Sequence, residues 1–246
     1  CTNNNLTTID VSQNELLLDF NCSYNQLTFL DLSNNNNVYD VYCHNNLITS
    51  IVIPENSIGA LIVHCNNNLI EFFDAYNKNF SSVNLSNNPN LVGINIKNYQ
   101  NDYVSIDNTP NLQYVCVDEQ DLTNIENVFG YGTDLSNIEI NTYCSFEPGG
   151  TFYTIQGNNK FDSNSNGCDA NDIVFPNQKY TITNGSISGT IIADQSGTYS
   201  IPVQQGSHTI TPVVENPSYF TVSPASATVS FPATASPATR NFCITA

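Results

Sequence analysis

Cys22-Ser-Tyr-Asn25-Gln-Leu27, Cys43-His-Asn-Asn46-Leu-Ile48 and Cys65-Asn-Asn-Asn68-Leu-Ile70 are one phrase used three times, C-x-x-N-x-[LI]. The cysteines stand 21 and 22 residues apart, and Cys1-Thr-Asn-Asn4-Asn-Leu6 gives the same phrase 21 residues upstream. Later turns keep the position and change the residue, with Leu85 and Ile106 filling it. A fixed period of this length marks a stacked-repeat architecture.

Between the cysteine phrases lies a second half-unit: Leu6-x-x-Ile9-x-Val11, Leu27-x-x-Leu30-x-Leu32, Ile48-x-x-Ile51-x-Ile53 and Phe80-x-x-Val83-x-Leu85. Apolar residues at positions 1, 4 and 6 with Asn at 9 do not sustain an amphipathic helix. They predict one strand and one tight corner per turn, the leucine-rich-repeat pattern. Apolar side chains then point into a shared core, and the Asn amide satisfies buried backbone groups at the corner. The rhythm covers residues 1–147, with a C-terminal cap over about 111–147 and the N-terminal cap missing.

The L-x-x-L-x-C-x-x-N-x-L-x-x-L-x-L unit with its Cys ladder resembles internalin J-type repeats. It is similar, more closely, to the leucine-rich repeats of secreted Bacteroidetes (flavobacterial) proteins exported by the type IX system. The resemblance implies an extracellular, adhesin-like role and names no ligand.

At 246 residues the chain is long enough for two domains. Five basic against 22 acidic residues give a net charge of −17, a field that repels nucleic acid and anionic membranes. No apolar run reaches the roughly 18 residues needed to span a bilayer, so no membrane insertion is expected. The chain carries neither Met nor a signal peptide, which reads as a start after processing or a cut. Cys1 would suit a lipid-modified N-terminus, but it sits in ladder register, which favours a cut inside the solenoid. Further domains of the same polypeptide are expected on both sides.

Eight Cys in a Lys-poor acidic chain favour an oxidising compartment, hence a secreted or cell-surface protein. Cys1, Cys22, Cys43 and Cys65 are expected to be buried, reduced and stacked, since parallel Cβ vectors suit packing better than disulfides. Cys116, Cys144, Cys168 and Cys243 lie off the ladder. Cys116–Cys144 and Cys168–Cys243 is the pairing that keeps each bridge inside one domain.

Glu147-Pro-Gly-Gly150 marks a boundary. Beyond it, alternating segments at 151–156, 178–183, 188–193, 197–203, 207–213 and 227–231 predict a β-sandwich of about seven strands over 148–246. Asp194-Gln-Ser-Gly-Thr-Tyr-Ser-Ile-Pro-Val, with Gly206-Ser-His-Thr-Ile-Thr-Pro, resembles the hairpins of Cna-B and SdrD B-like domains. The implied fold is an Ig-like (prealbumin/Cna-B-type) sandwich. Gly157-Asn-Asn-Lys-Phe-Asp162-Ser-Asn-Ser-Asn-Gly-Cys-Asp169-Ala-Asn-Asp172 is similar to that family's first strand and loop.

The loop's D-x-N-x-N-G core also opens like an EF-hand, with oxygen ligands at alternate positions and a Gly for the sharp turn. Ile173 stands where the bidentate Glu belongs. An Asn/Gly-rich turn is the plain alternative. The expected Ca²⁺ set is the side chains of Asp162, Asn164, Asn166 and Asp172, the Cys168 carbonyl and the Asp169 carboxylate.

Three His (His44, His64, His208) and scattered carboxylates match no H-E-x-x-H, G-x-S-x-G, P-loop or C-x-x-C pattern, so no enzyme is expected. His44 and His64 read as surface residues. The outward positions of the Cys-bearing strands offer a recognition face centred on Asp40, Tyr42, His44 and His64. Asp19, Asn21 and Asn84 flank it. Such a face suits a protein or a glycan. The rival reading is a structural spacer in a larger secreted surface protein whose active module lies outside these residues.

Overall fold

The computed structural model describes residues 1–144 and 152–246. It is mostly β and divides into two units, Cys1–Ile140 and Asn141–Ala246. The boundary motif at 147–150 lies outside the described residues.

The first unit is a β-solenoid of stacked turns of about 21 residues. Its strands are β1 (Asp19–Asn21), β2 (Phe29–Asp31), β3 (Asp40–Tyr42), β4 (Ser50–Val52), β5 (Leu61–His64), β6 (Phe72–Asp74), β7 (Phe80–Asn84), β8 (Gly93–Asn95), β9 (Tyr103–Ser105), β10 (Tyr114–Cys116) and β11 (Glu139–Asn141). Strands β1-β3-β5-β7-β9 make one parallel sheet. The intervening strands pair as β2-β4 and as β11-β10-β8-β6.

Each turn thus carries two short strands, where the sequence predicted one. Both half-units place an apolar residue at the middle of a three-residue extended segment, and stacking gives each segment a ladder partner. Phe20, Val41, Val63, Val83 and Val104 form the inward column of the first sheet, all buried. Ile94 and Val115 fill the inward position of the second.

The corners explain the asparagines. Asn46 Nδ2 donates to the carbonyls of Cys22 (3.1 Å) and Cys43 (3.0 Å), and its Oδ1 accepts the Leu27 N–H (3.0 Å). Asn25 does the same for Cys1, Cys22 and Leu6, Asn68 for Cys43, Cys65 and Ile48, and Asn88 for Cys65, Leu85 and Ile70. Each of these four amides fastens two turns through both its donor and its acceptor. The residue before each ladder Asn is left-handed. Asn3, Tyr24, Asn45, Asn67 and Asn87, together with Asn108, which stands before Thr109 at the same place in its turn, have φ between 55° and 57°, a region Asn tolerates and Tyr does not favour.

Cys22, Cys43 and Cys65 are buried free thiols in adjacent register. Burial pushes the Cys22 thiol up to about 12 and strongly raises those of Cys43 and Cys65 as well. Cys1 departs from its expected burial. It is exposed, its Sγ 3.4 Å from the Asn21 carbonyl of the next turn.

The rhythm breaks at two short helices, α1 (Glu119–Leu122) and α2 (Ile125–Phe129), the second burying Val128 and Phe129. β11 then returns to pair with β10, so the strand column resumes beyond the helical insert.

The second unit comprises β12 (Tyr153–Asp162), β13 (Ile173–Val174), β14 (Lys179–Thr183), β15 (Ser188–Ile192), β16 (Thr198–Val203), β17 (Gly206–Val213), β18 (Thr221–Ser223), β19 (Ala227–Phe231), β20 (Ala238–Thr239) and β21 (Phe242–Thr245). One sheet runs β13-β12-β21-β18, with β16 and β20 also on β12; the other runs β15-β14-β17-β19. Ile155, Tyr199, Ile201 and Phe242 from the first meet Tyr180, Ile182, Ile191, Ile210 and Phe231 from the second in one buried cluster.

This unit begins at Asn141, the last residue of β11, and takes in residues 142–144, which the sequence assigned to the solenoid cap. Thr142 exchanges hydrogen bonds with Thr190, and Tyr143 is buried with its hydroxyl 2.8 Å from His208 Nδ1. Gly189 makes this approach feasible: a Cβ there would lie 2.8 Å from the Tyr143 Cα. His208 is buried as well, its Nε2 2.8 Å from the Gln204 carbonyl, and burial lowers its pKa. A disulfide joins Cys168 to Cys243. Cys116 and Cys144 are each disulfide-bonded too, with Cys116 in the first unit and Cys144 in the second.

Candidate functional site

Outward positions flank the inward column of the β1-β3-β5-β7-β9 sheet on both sides. Asp19, Asp40, Ile62, Ser82 and Tyr103 line one side; Asn21, Tyr42, His64, Asn84 and Ser105 line the other. Parallel strands about 4.8 Å apart bring neighbours in a column into contact. The structure uses that spacing in the middle of the sheet.

The Tyr42 and His64 rings stack with centroids 4.5 Å apart and planes 4° from parallel. The Tyr42 hydroxyl donates to Asp40 Oδ2 at 2.9 Å, and Asp40 Oδ1 lies 3.6 Å from His64 Nε2. That oxygen is enclosed and has no other hydrogen-bond partner. Phenol, carboxylate and imidazole therefore form one closed group over two adjacent turns. Donation to Asp40, reinforced by its charge, holds the Tyr42 phenol above its usual pKa.

Around this centre lie two aromatic contacts that the sequence reading passed over. Tyr39 donates to Asp19 Oδ2 at 3.2 Å. Tyr24 sets its edge against the His44 ring, 5.2 Å between centroids, and His44 Nδ1 lies 2.8 Å from Asn45 Nδ2. Burial, then the charge of His64, lowers the His44 pKa. Tyr24 was legible as the one residue interrupting a column of Asn, and it occupies left-handed backbone there. Asn21 and Asn84 turn their amide oxygens onto their own corners, accepting from Ser23 and Ser86. Asp40, Tyr42 and His64 are thus brought together, while His44 sits one corner away with Tyr24.

Chemically this face offers stacked aromatic planes beside a desolvated carboxylate oxygen, with hydroxyl and amide groups at its margins. These are recognition elements for a ligand with both apolar faces and hydroxyl donors.

The expected cation loop is arranged differently. Asp162 Oδ1 accepts N–H groups of Asn164 (3.3 Å) and Asn166 (3.2 Å), and Oδ2 accepts that of Gly167 (2.8 Å). Burial opposes the Asp162 charge, but these donors outweigh it and hold the carboxyl below the usual range. Asn164 Oδ1 accepts the Asn166 N–H, Asp172 Oδ2 accepts that of Asp169, and Asp169 Oδ1 accepts that of Asn171. Lys160 donates to the Asp169 carbonyl, and Cys168 is tied to Cys243. The loop's acceptors are largely engaged by its own amides.

Among the described residues no helix is long and apolar enough to cross a membrane. Compared with known proteins, the chain matches no family model, no curated protein and no solved structure.

Proposed function

We propose that this protein is a non-catalytic extracellular recognition module, secreted or displayed at a cell surface. In this reading the first unit is a leucine-rich-repeat solenoid that binds a protein or glycan through its β1-β3-β5-β7-β9 face. The second is an Ig-like, Cna-B-type sandwich. The observation that supports it is the Asp40–Tyr42–His64 group, where a half-buried carboxylate with one enclosed oxygen joins two stacked rings on an outward sheet face. Burying polar groups outside a core is costly, and recognition is the ordinary use for such an arrangement.

The test is an array of glycans and extracellular-matrix proteins probed with the full chain, its Tyr42→Ala variant and a Phe29→Ala control on the other strand column. Tyr42→Ala should weaken any bound ligand about tenfold, a typical cost for an interface aromatic, and Phe29→Ala should leave it unchanged. Equal affinity in both variants, or no ligand at all, would favour the spacer reading. Ca²⁺ at the Asp162 loop belongs to the same proposal. It requires a Ca²⁺-dependent rise in the second unit's melting temperature that Asp162→Ala removes.

A further inference from the structure

Three carboxylates gather where the solenoid's last turns meet the helical insert. Asp102 precedes β9, Asp118 follows β10, and Asp121 lies in α1. Their exposures are 6%, 2% and 6%, and each contributes an oxygen to a group lying within 4.8 Å of one another. This is the one such group of three among the described residues.

Two of its six carboxylate oxygens are met by donors. Asp118 Oδ2 takes the N–H groups of Asn98 (3.1 Å) and Tyr99 (2.6 Å), and Asp102 Oδ1 takes Asn98 Nδ2 (3.1 Å). Three more are not. Asp102 Oδ2, Asp118 Oδ1 and Asp121 Oδ2 are enclosed with no hydrogen-bond partner. Facing carboxylates cannot satisfy one another, because an ionised carboxylate only accepts. Lys97, whose charge acts on Asp118, is paired with Glu119 at 3.0 Å. Burial, with repulsion from its neighbours in the group, pushes Asp102 up to about 7 and Asp121 up to about 6. Burial also raises Asp118, against the backbone donors on its Oδ2 and the charge of Lys97.

We propose that Asp102, Asp118 and Asp121 bind one hard divalent cation, Ca²⁺ by ligand type, that fastens α1 to the last turns of the solenoid. Only oxygen ligands converge, with neither His nor Cys among them, which excludes a zinc-like preference. Three oxygens each about 2.4 Å from one ion lie at most about 4.8 Å apart, the limit that this group meets. The donors on the remaining oxygens of Asp118 and Asp102 fix both carboxylates in place. Three carboxylate oxygens lying up to 4.8 Å apart suit the longer Ca²⁺–oxygen distance better than Mg²⁺, which demands a near-ideal, tighter octahedron.

The experiment uses the full chain carrying Asp162→Asn, which disables the second unit's loop. Calorimetric titration of the chelator-treated protein should show one Ca²⁺ bound per chain. The melting temperature of the first unit should rise by roughly 5 °C or more at saturation. Adding Asp121→Asn should abolish both. Should that double variant fail to fold, crystals of the Asp162→Asn chain soaked in Tb³⁺ should give an anomalous peak between the three carboxylates. No Ca²⁺ response in Asp162→Asn, or no such peak, would overturn the site and leave protonation as what relieves the repulsion.

Discussion

The solenoid handles buried polarity in two ways, and the contrast lies between its amide corners and the Asp102–Asp118–Asp121 group. An amide both donates and accepts, so Asn25, Asn46, Asn68 and Asn88 close every bond at their corners using only the turns they join. A carboxylate lacks the donor, so three of them leave three enclosed oxygens unmet. The amide column is self-sufficient and can repeat without limit; the carboxylate group depends on something outside the chain, a proton or a cation.

Converting one kind of corner into the other should produce the largest effect. Asn68→Asp removes the donors to the Cys43 and Cys65 carbonyls and places a negative charge against them. With two buried acceptors unmet and a charge added, the loss should be about 4 kcal/mol or more at neutral pH. Urea unfolding measures it, and a loss below about 1 kcal/mol would mean that the amides are ornamental.

The acidic group should give a smaller, pH-dependent effect in the metal-free protein. Asp102 has its pKa raised from 3.8 to about 7. Between those values the unfolded chain has released a proton that the native state still holds, so stability falls as pH rises through the window. Asp118 and Asp121 are raised too and act in the same direction, while Lys97 is held by Glu119. In chelator, the first unit should be about 3 kcal/mol less stable at pH 8 than at pH 5, and Asp102→Asn should flatten that slope. A stability that rises over this range would contradict the burial of these carboxyls.

The smallest effect concerns Tyr24, the misfit in the left-handed column. Tyr24→Asn should stabilise the first unit by about 1 kcal/mol by relieving the backbone. Under the recognition reading it should also weaken ligand binding, because the edge contact to His44 is lost. A gain in stability with unchanged affinity would confine the face to Asp40, Tyr42 and His64.

Much of this was legible because it repeats. The C-x-x-N-x-[LI] phrase located the inward column, the cysteine ladder and the role of the corner amides, each set by nearest-neighbour turns. The strands of the second unit also followed from local alternation, as at 188–193 and 227–231 against β15 and β19. What escaped the sequence is what depends on contacts across long separations. Asp102 and Asp121 look like ordinary surface acids until the α1 insert folds back on the last turns. Tyr143 looks like cap until Gly189 admits it to the second core. The second strand of each turn was missed because three extended residues carry no period of their own.

Hydroxyl-radical footprinting of the full chain, with and without a ligand identified on the array, tests the recognition face most directly. The account predicts protection of Tyr42, His64, His44 and Tyr24, with Phe29 and Tyr219 unchanged. Protection confined to the second unit, or none along β1-β3-β5-β7-β9, would contradict it.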